Sequence, residues 1–123
     1  MTRDEFEEIA QEAFDSLPER FRSTIENVRI AVKDTDDEGA RRRAHVRSGA
    51  MLLGLYEGVP LNKRGSSYGV YPVIPDSITL FQRNIESISR SPDEIRAAIR
   101  SVLIHEIGHY YGMSEEEIRK AGF

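Results

Sequence analysis

Apolar residues recur along this chain with two different periods. Over residues 2–15, Phe6, Ile9, Ala10, Ala13 and Phe14 fall at helical spacing, and Thr2 with Glu5 forms a capping box ahead of them. The pattern predicts an amphipathic helix. Leu17-Pro18 breaks it, and a short helical turn through Phe21-Arg22 follows. Val28-Arg29-Ile30-Ala31-Val32-Lys33 then alternates apolar and polar, as a half-buried strand does. Leu52-Leu53-Gly54-Leu55-Tyr56 reads as a second strand. Ile78-Thr79-Leu80-Phe81-Gln82 reads as a third, ahead of Arg83 and a polar turn to Ser91. No helix is expected between the first two strands.

The strongest helix signal comes next. Ser91 suits an N-cap, Pro92 the first helical position, and Glu94 completes a capping box. Ile95, Ala98, Ile99, Val102 and Leu103 give this helix a buried face, with Arg96 and Arg100 on the other side. It runs to Tyr110 or Tyr111 and stops at Gly112, about five turns in all. Ser114-Glu115-Glu116-Glu117 opens a last short helix. These elements imply an α+β domain, with a small mixed or antiparallel sheet of about three strands packed on helices. At 123 residues, the chain is expected to form a single domain over 1–123.

Composition narrows the function classes. Hydrophobic content of 39% and charged content of 31% suit a globular domain. No apolar run approaches the roughly 20 residues of a membrane span. The start, Met1-Thr2-Arg3-Asp4-Glu5, lacks the apolar core of a signal peptide, so a cytoplasmic location is the default. A net charge of −4 argues against nucleic acid as a partner. The basic run Arg41-Arg42-Arg43 and Arg47 directly follows Asp34, Asp36, Asp37 and Glu38, and the two read as a self-neutralising polar loop. The acidic stretch loosely resembles the first half of a calcium loop. His45 falls where that loop needs its bidentate Glu, so it reads as an acidic turn. Cysteine is absent, so any zinc site must use His and carboxylate.

Chemistry concentrates in His105-Glu106-Ile107-Gly108-His109, an H-E-x-x-H pattern near the end of the predicted helix. Histidines four apart share one helix face, and both imidazoles can reach a single Zn²⁺. Glu106 follows the first ligand directly and is the candidate general base toward a zinc-bound water. The pattern extends as His105-Glu106-x-x-His109-x-x-Gly112-x-x-Glu115. Gly112 would end the helix in a left-handed conformation and let the chain fold back. Glu115 is then the candidate third ligand. Glu116 is the neighbouring alternative, and His45, in a loop of unfixed position, is a third. All three acids from Glu115 to Glu117 also suit a helix first turn without any metal. A long Gly/Pro/Ser-rich connection between Tyr56 and Ile78 holds Arg64, Tyr68 and Tyr71 and could overhang the cleft.

From about Val28 onward the sequence resembles the minimal zincin-like metallopeptidases, small bacterial proteins with a shortened zincin fold. The marks are Leu53-Gly54-Leu55-Tyr56-Glu57-Gly58-Val59-Pro60-Leu61 with Arg64, then Pro75-Asp76-Ser77-Ile78-Thr79-Leu80-Phe81, then the metal helix through Glu115. The metal motif also looks like that of metzincins, in which a histidine usually fills the position of Glu115. Metzincins carry a Met-containing turn further on, and with eight residues after Glu115 none is expected here.

The resemblance implies a zinc metallopeptidase with one Zn²⁺ and a peptide or protein substrate. His105, His109 and Glu115 would hold the metal and Glu106 would be the catalytic base. Tyr68, Tyr71 or Tyr111 could donate to the oxyanion or touch substrate. Ile78, Thr79, Leu80, Phe81 and Gln82 would stand as a zincin's edge strand does, and a substrate could add to them as an antiparallel strand. Two other classes remain open: a zinc-binding regulatory or interaction domain without turnover, and a metal hydrolase of a non-peptide substrate.

Overall fold

A computed structural model describes residues 1–44, 51–69 and 75–122. Thr2 caps the first helix, α1 (Arg3–Asp15), by accepting from the Glu5 N–H, and Phe6, Ile9 and Ala10 are its buried positions. After Leu17-Pro18 comes a single turn, α2 (Glu19–Arg22). Strand β1 (Val28–Lys33) presents Val28, Ile30 and Val32 to the main core.

Two short strands complete the sheet, β2 (Gly54–Glu57) and β3 (Asp76–Phe81). The order is β1-β3-β2, with β1 parallel and β2 antiparallel to β3. The fold is therefore α+β with a small mixed sheet, as the periodicities predict.

The third strand is not an edge. β3 pairs over its whole length with β1, Val28 opposite Asp76 through Lys33 opposite Phe81, and with β2, Gly54 opposite Leu80 through Glu57 opposite Ser77. The run Ile78, Thr79, Leu80, Phe81 cannot accept a substrate strand. Its near-continuous burial is that of a strand covered on both faces. Gln82 lies outside it and opens α4 (Gln82–Ser87), where a polar turn was expected.

A second correction falls between β1 and β2. The expected loop contains a helix, α3 (Glu38–Arg43), capped by Asp37 accepting from the Ala40 N–H. One buried alanine gives it no apolar periodicity, and the acidic stretch that caps it reads as a turn in the sequence. Charge compensation is as expected in kind: Arg41 pairs with Asp36 and Glu38, while Arg43 reaches Glu57. Ala40 packs with Leu55 and Phe81 on one face of the sheet. The opposite face carries the main core, where Ile78 and Leu80 meet α1 and the long helix α5 (Pro92–Tyr110).

A buried polar network secures the chain after β2. Asp76 accepts from the Tyr56 hydroxyl, the Val59 N–H and, at 2.7 Å, the Arg64 guanidinium. Arg64 also donates to the carbonyls of Val59 and Glu26, and its guanidinium stacks on the rings of Tyr68 and Tyr110. Burial, then the neighbouring Asp76 carboxylate, pushes the Tyr56 phenol's pKa up, which keeps it a donor. With every polar atom partnered, the buried ion pair pins the connection without an orphaned charge. Among the described residues, no helix is long and apolar enough to cross a membrane.

Candidate metal centre and active site

The site is built on α5. Ser91 accepts from the Glu94 N–H and Pro92 opens the helix, as its sequence predicts. Ile99, Val102, Leu103 and Ile107 bury one face and fix the rotation of the helix. That rotation turns His105 and His109 toward a cleft of about 650 Å³, whose walls include Leu52, Gly54, Tyr56, Pro60, Val102 and Met113.

The end of α5 brings the third candidate ligand into place. Gly112 takes φ +88°, its N–H bonds the His109 carbonyl, and the Met113 N–H bonds the Gly108 carbonyl. That pair of bonds is a Schellman turn, which needs a left-handed residue at this point. A Cβ on Gly112 would also lie 2.3 Å from the Asn62 side chain. The chain reverses into α6 (Glu115–Lys120), whose N-terminus is a complete Ser114–Glu117 capping box.

Glu115 then faces both histidines, Oε2 at 2.9 Å from His105 Nε2 and Oε1 at 2.7 Å from His109 Nε2. The other two acids point elsewhere. Glu116 pairs with Lys120, and Glu117 serves the cap. His45, the remaining alternative, lies outside the described residues.

This donor set fits a metal ion. One ligand atom from each of His105, His109 and Glu115 lies within 4.8 Å of the others. Tetrahedral zinc, with bonds of about 2.0–2.1 Å, holds ligand atoms about 3.3–3.4 Å apart. The Glu115 oxygens, at 2.7 and 2.9 Å from the two imidazoles, lie closer than that spacing, and the side chain is exposed enough to swing outward. His109 gives a second argument. Its Nδ1 lies 3.0 Å from the Met113 carbonyl while its Nε2 faces a carboxylate, so both nitrogens meet acceptors. A neutral imidazole has one proton to give. With that proton on Nδ1, a cation at Nε2 satisfies the other side, which is the usual arrangement of a metal-bound histidine. Burial raises the Glu115 pKa, but the hydrogen bonds from the two imidazoles outweigh it and hold the carboxyl below its ordinary value.

Glu106 stands apart from this cluster. It is 8% exposed and lines the cleft. Its Oε1 accepts from the backbone N–H of Tyr56 at 2.9 Å. Burial pushes its pKa above the ordinary carboxylate value, and the two histidines and the Tyr56 N–H offset part of that rise. The close approach depends on Gly54. A Cβ there would lie 2.6 Å from Val102 and 3.3 Å from the Glu106 side chain. Tyr56 left no sign in the sequence as a partner of Glu106, because its contribution is a backbone group. Gly54, an isolated glycine within a strand pattern, is the kind of signal that marks such an approach.

The candidate tyrosines divide differently from expectation. Tyr68 does not line the cleft; its hydroxyl accepts from Asn27 and its ring supports Arg64. Tyr111 turns toward α2, bonding the Phe21 carbonyl and the Thr24 hydroxyl. Both hydroxyls are engaged elsewhere and neither residue lines the cleft, so the structure gives neither the oxyanion role. Tyr71 lies outside the described residues.

A family profile described as zincin-like metallopeptidase matches residues 25–122, a span that holds the sheet, the cleft and the metal cluster. The chain belongs to this family. The fold is also similar to that of a conserved hypothetical protein from T. thermophilus. That structure is 18% identical, with a TM-score of 0.57, over 90% of this chain and 94% of the other. At such identity the likeness concerns the fold alone. No curated protein matches the chain. The family implies a metal centre, and the His105–His109–Glu115 group is where this zincin-like chain could hold an ion.

Proposed function

We propose that this zincin-like protein is a zinc-dependent peptidase that holds one Zn²⁺ through His105, His109 and Glu115 and uses Glu106 as its general base. The observation that carries the reading is the pairing of a convergent three-donor cluster with a buried carboxylate one residue from the first ligand. When bound, zinc supplies Lewis acidity that polarises a carbonyl and acidifies a water. Glu106 takes the proton at its carboxylate and delivers it to the leaving amine. Burial favours that role by raising its proton affinity, and the Tyr56 N–H anchors Oε1 of this cleft-lining carboxylate. A site that only stored metal would have no use for a buried, oriented carboxylate at this position.

Peptide substrates would dock along β2, the strand that lines the cleft. Leu53 bonds back toward β3, and antiparallel alternation turns the backbone of Gly54 and Tyr56 away from it. The Tyr56 N–H serves Glu106, leaving the Gly54 backbone and the Tyr56 carbonyl to pair with an extended chain. The test is metal analysis of protein purified without chelator, followed by digestion of a peptide library. Cleavage that vanishes with chelator, returns with Zn²⁺ and fails in Glu106→Gln supports the reading. Cleavage equal in wild type and Glu106→Gln overturns it.

A further inference from the structure

Glu115 reaches the histidines from a helix of its own, and something other than the metal has to hold that helix there. α6 has six residues and one buried position, Ile118. Glu115 and Ile118 are three apart, so they share a face of the helix. Ile118 is 1% exposed, and it sits over Gly108, between the two histidines in sequence. A Cβ on Gly108 would lie 2.9 Å from both Cγ1 and Cδ1 of Ile118. Ordinary carbon contacts need about 3.5–4.0 Å. The bare backbone of Gly108 is therefore a notch, and Ile118 fills it.

We infer that this notch is a positioning device for the metal centre: Gly108 and Ile118 set how closely Glu115 approaches the two histidines, although neither residue touches the metal. The inference rests on the proposed His105–His109–Glu115 zinc site. The remainder of α6 is open to solvent and gives little other hold. Glu116 and Lys120 pair at its surface, and the Glu115 side chain is itself 70% exposed. The Gly112 turn fixes where α6 begins, while the notch fixes how close it lies. A methyl group at residue 108 would press α6 outward and draw the carboxylate off the site while leaving both histidines on α5.

Zinc affinity of the full chain, measured by competition with a chromophoric chelator, tests this directly. Gly108→Ala should weaken zinc binding by roughly 10- to 100-fold, the range for residues that orient ligands. The same substitution in a Glu115→Gln background should cost little more, because the ligand it acts through is already lost. Trimming the knob should restore affinity, so Gly108→Ala with Ile118→Val should bind more tightly than Gly108→Ala alone. The cobalt(II) spectrum should move toward that of Glu115→Gln in Gly108→Ala and back in the rescued pair.

Wild-type affinity in Gly108→Ala would overturn the inference. So would a loss equally large in the Glu115→Gln background, which would mean that residue 108 acts on the histidines. Should Gly108→Ala fail to fold, Ile118→Val alone carries the test. Its affinity must fall in the wild-type background and stay unchanged beside Glu115→Gln, and any other pattern overturns the notch. Failure of the underlying reading looks different, since wild type would then bind no zinc, or would keep it in His105→Ala.

Discussion

The backbone N–H of Tyr56 donates to the Glu106 carboxylate across 2.9 Å and ties β2 to α5 at the candidate base. In the proposed mechanism, the strand that would offer its backbone to substrate also orients the proton acceptor. Glu106→Gln should keep zinc and fold while hydrolysis drops by roughly 10²–10⁴, the usual contribution of a general base. Metal content and turnover measured on the same preparation check this, and a contaminating protease would ignore the substitution.

Glycine at residue 54 is expected to matter for the same reason. In Gly54→Ala the new Cβ meets Val102 at 2.6 Å and the Thr79 carbonyl at 3.2 Å. Strand β2 must move off α5, and the Tyr56–Glu106 bond lengthens. Activity should fall while stoichiometric zinc remains, because the proposed ligands lie on α5 and α6. Val102→Ala in the same chain should recover part of the activity. An unchanged kcat/KM in Gly54→Ala would show that the seat of Glu106 tolerates the shift.

At the proposed site the histidines would carry the metal, and they contribute little to the core. His105→Ala and His109→Ala should each abolish stoichiometric zinc binding and leave the far-ultraviolet circular dichroism close to wild type. The residues that bury α5 are Ile99, Val102, Leu103 and Ile107, and these are untouched. One tight zinc retained in both variants would exclude this site.

The three acids of α6 should separate cleanly. Glu115→Gln should weaken zinc strongly. Glu116→Gln removes only a surface pair with Lys120 and should leave affinity unchanged. Glu117→Gln should slightly lower thermal stability through the cap and leave zinc affinity unchanged. Isothermal titration with zinc and thermal melts of the metal-free forms distinguish the three.

Acid should loosen the β2 side of the cleft through Asp36. Burial raises this carboxyl's pKa, but hydrogen bonds from Asn84, the Leu52 N–H and Arg41 outweigh it and leave the pKa below the ordinary value. A depressed folded-state pKa means stability fully present above the unfolded value of about 3.9 and lost as pH falls through the folded one. Asp36→Asn should cost roughly 1–3 kcal/mol at neutral pH. Its deficit against wild type should shrink as pH drops below about 4. Urea midpoints between pH 7 and pH 3 measure that gap, and a constant difference would remove Asp36 as its source.

Signals local in the chain are legible in the sequence itself. The caps at Thr2, Ser91 and Ser114, the periodic face of α5 and the stop at Gly112 all arise from neighbours a few residues apart, and each is present, although at Thr2 and Ser91 the Glu carboxylate meets the hydroxyl and not the backbone N–H of a full capping box. Pairing order is a different matter. The run Ile78 to Phe81 says that a strand is buried and is silent on which strands flank it, so an edge was expected where the sheet has its centre. Helix α3 stayed hidden because six residues with one buried alanine carry no periodicity. The tyrosines show a further limit. Tyr68 and Tyr111 are ordinary polar aromatics in sequence, and only the partners Asn27, Arg64, Phe21 and Thr24 decide that they face away from the cleft.

The Schellman turn at Gly112 has one more consequence. It places the candidate ligands within a short stretch of chain, Glu115 ten residues from His105 and six from His109. Closing so small a loop carries little entropic penalty even without the rest of the fold. The denatured chain should therefore keep some hold on zinc, and the ion should protect against unfolding less than its affinity for the native protein implies. The seat of Glu106 is the opposite case, because its partner Tyr56 lies fifty residues away. At the proposed site, holding the ion would in this sense be a property of one segment, while orienting the base would draw on strand β2 as well.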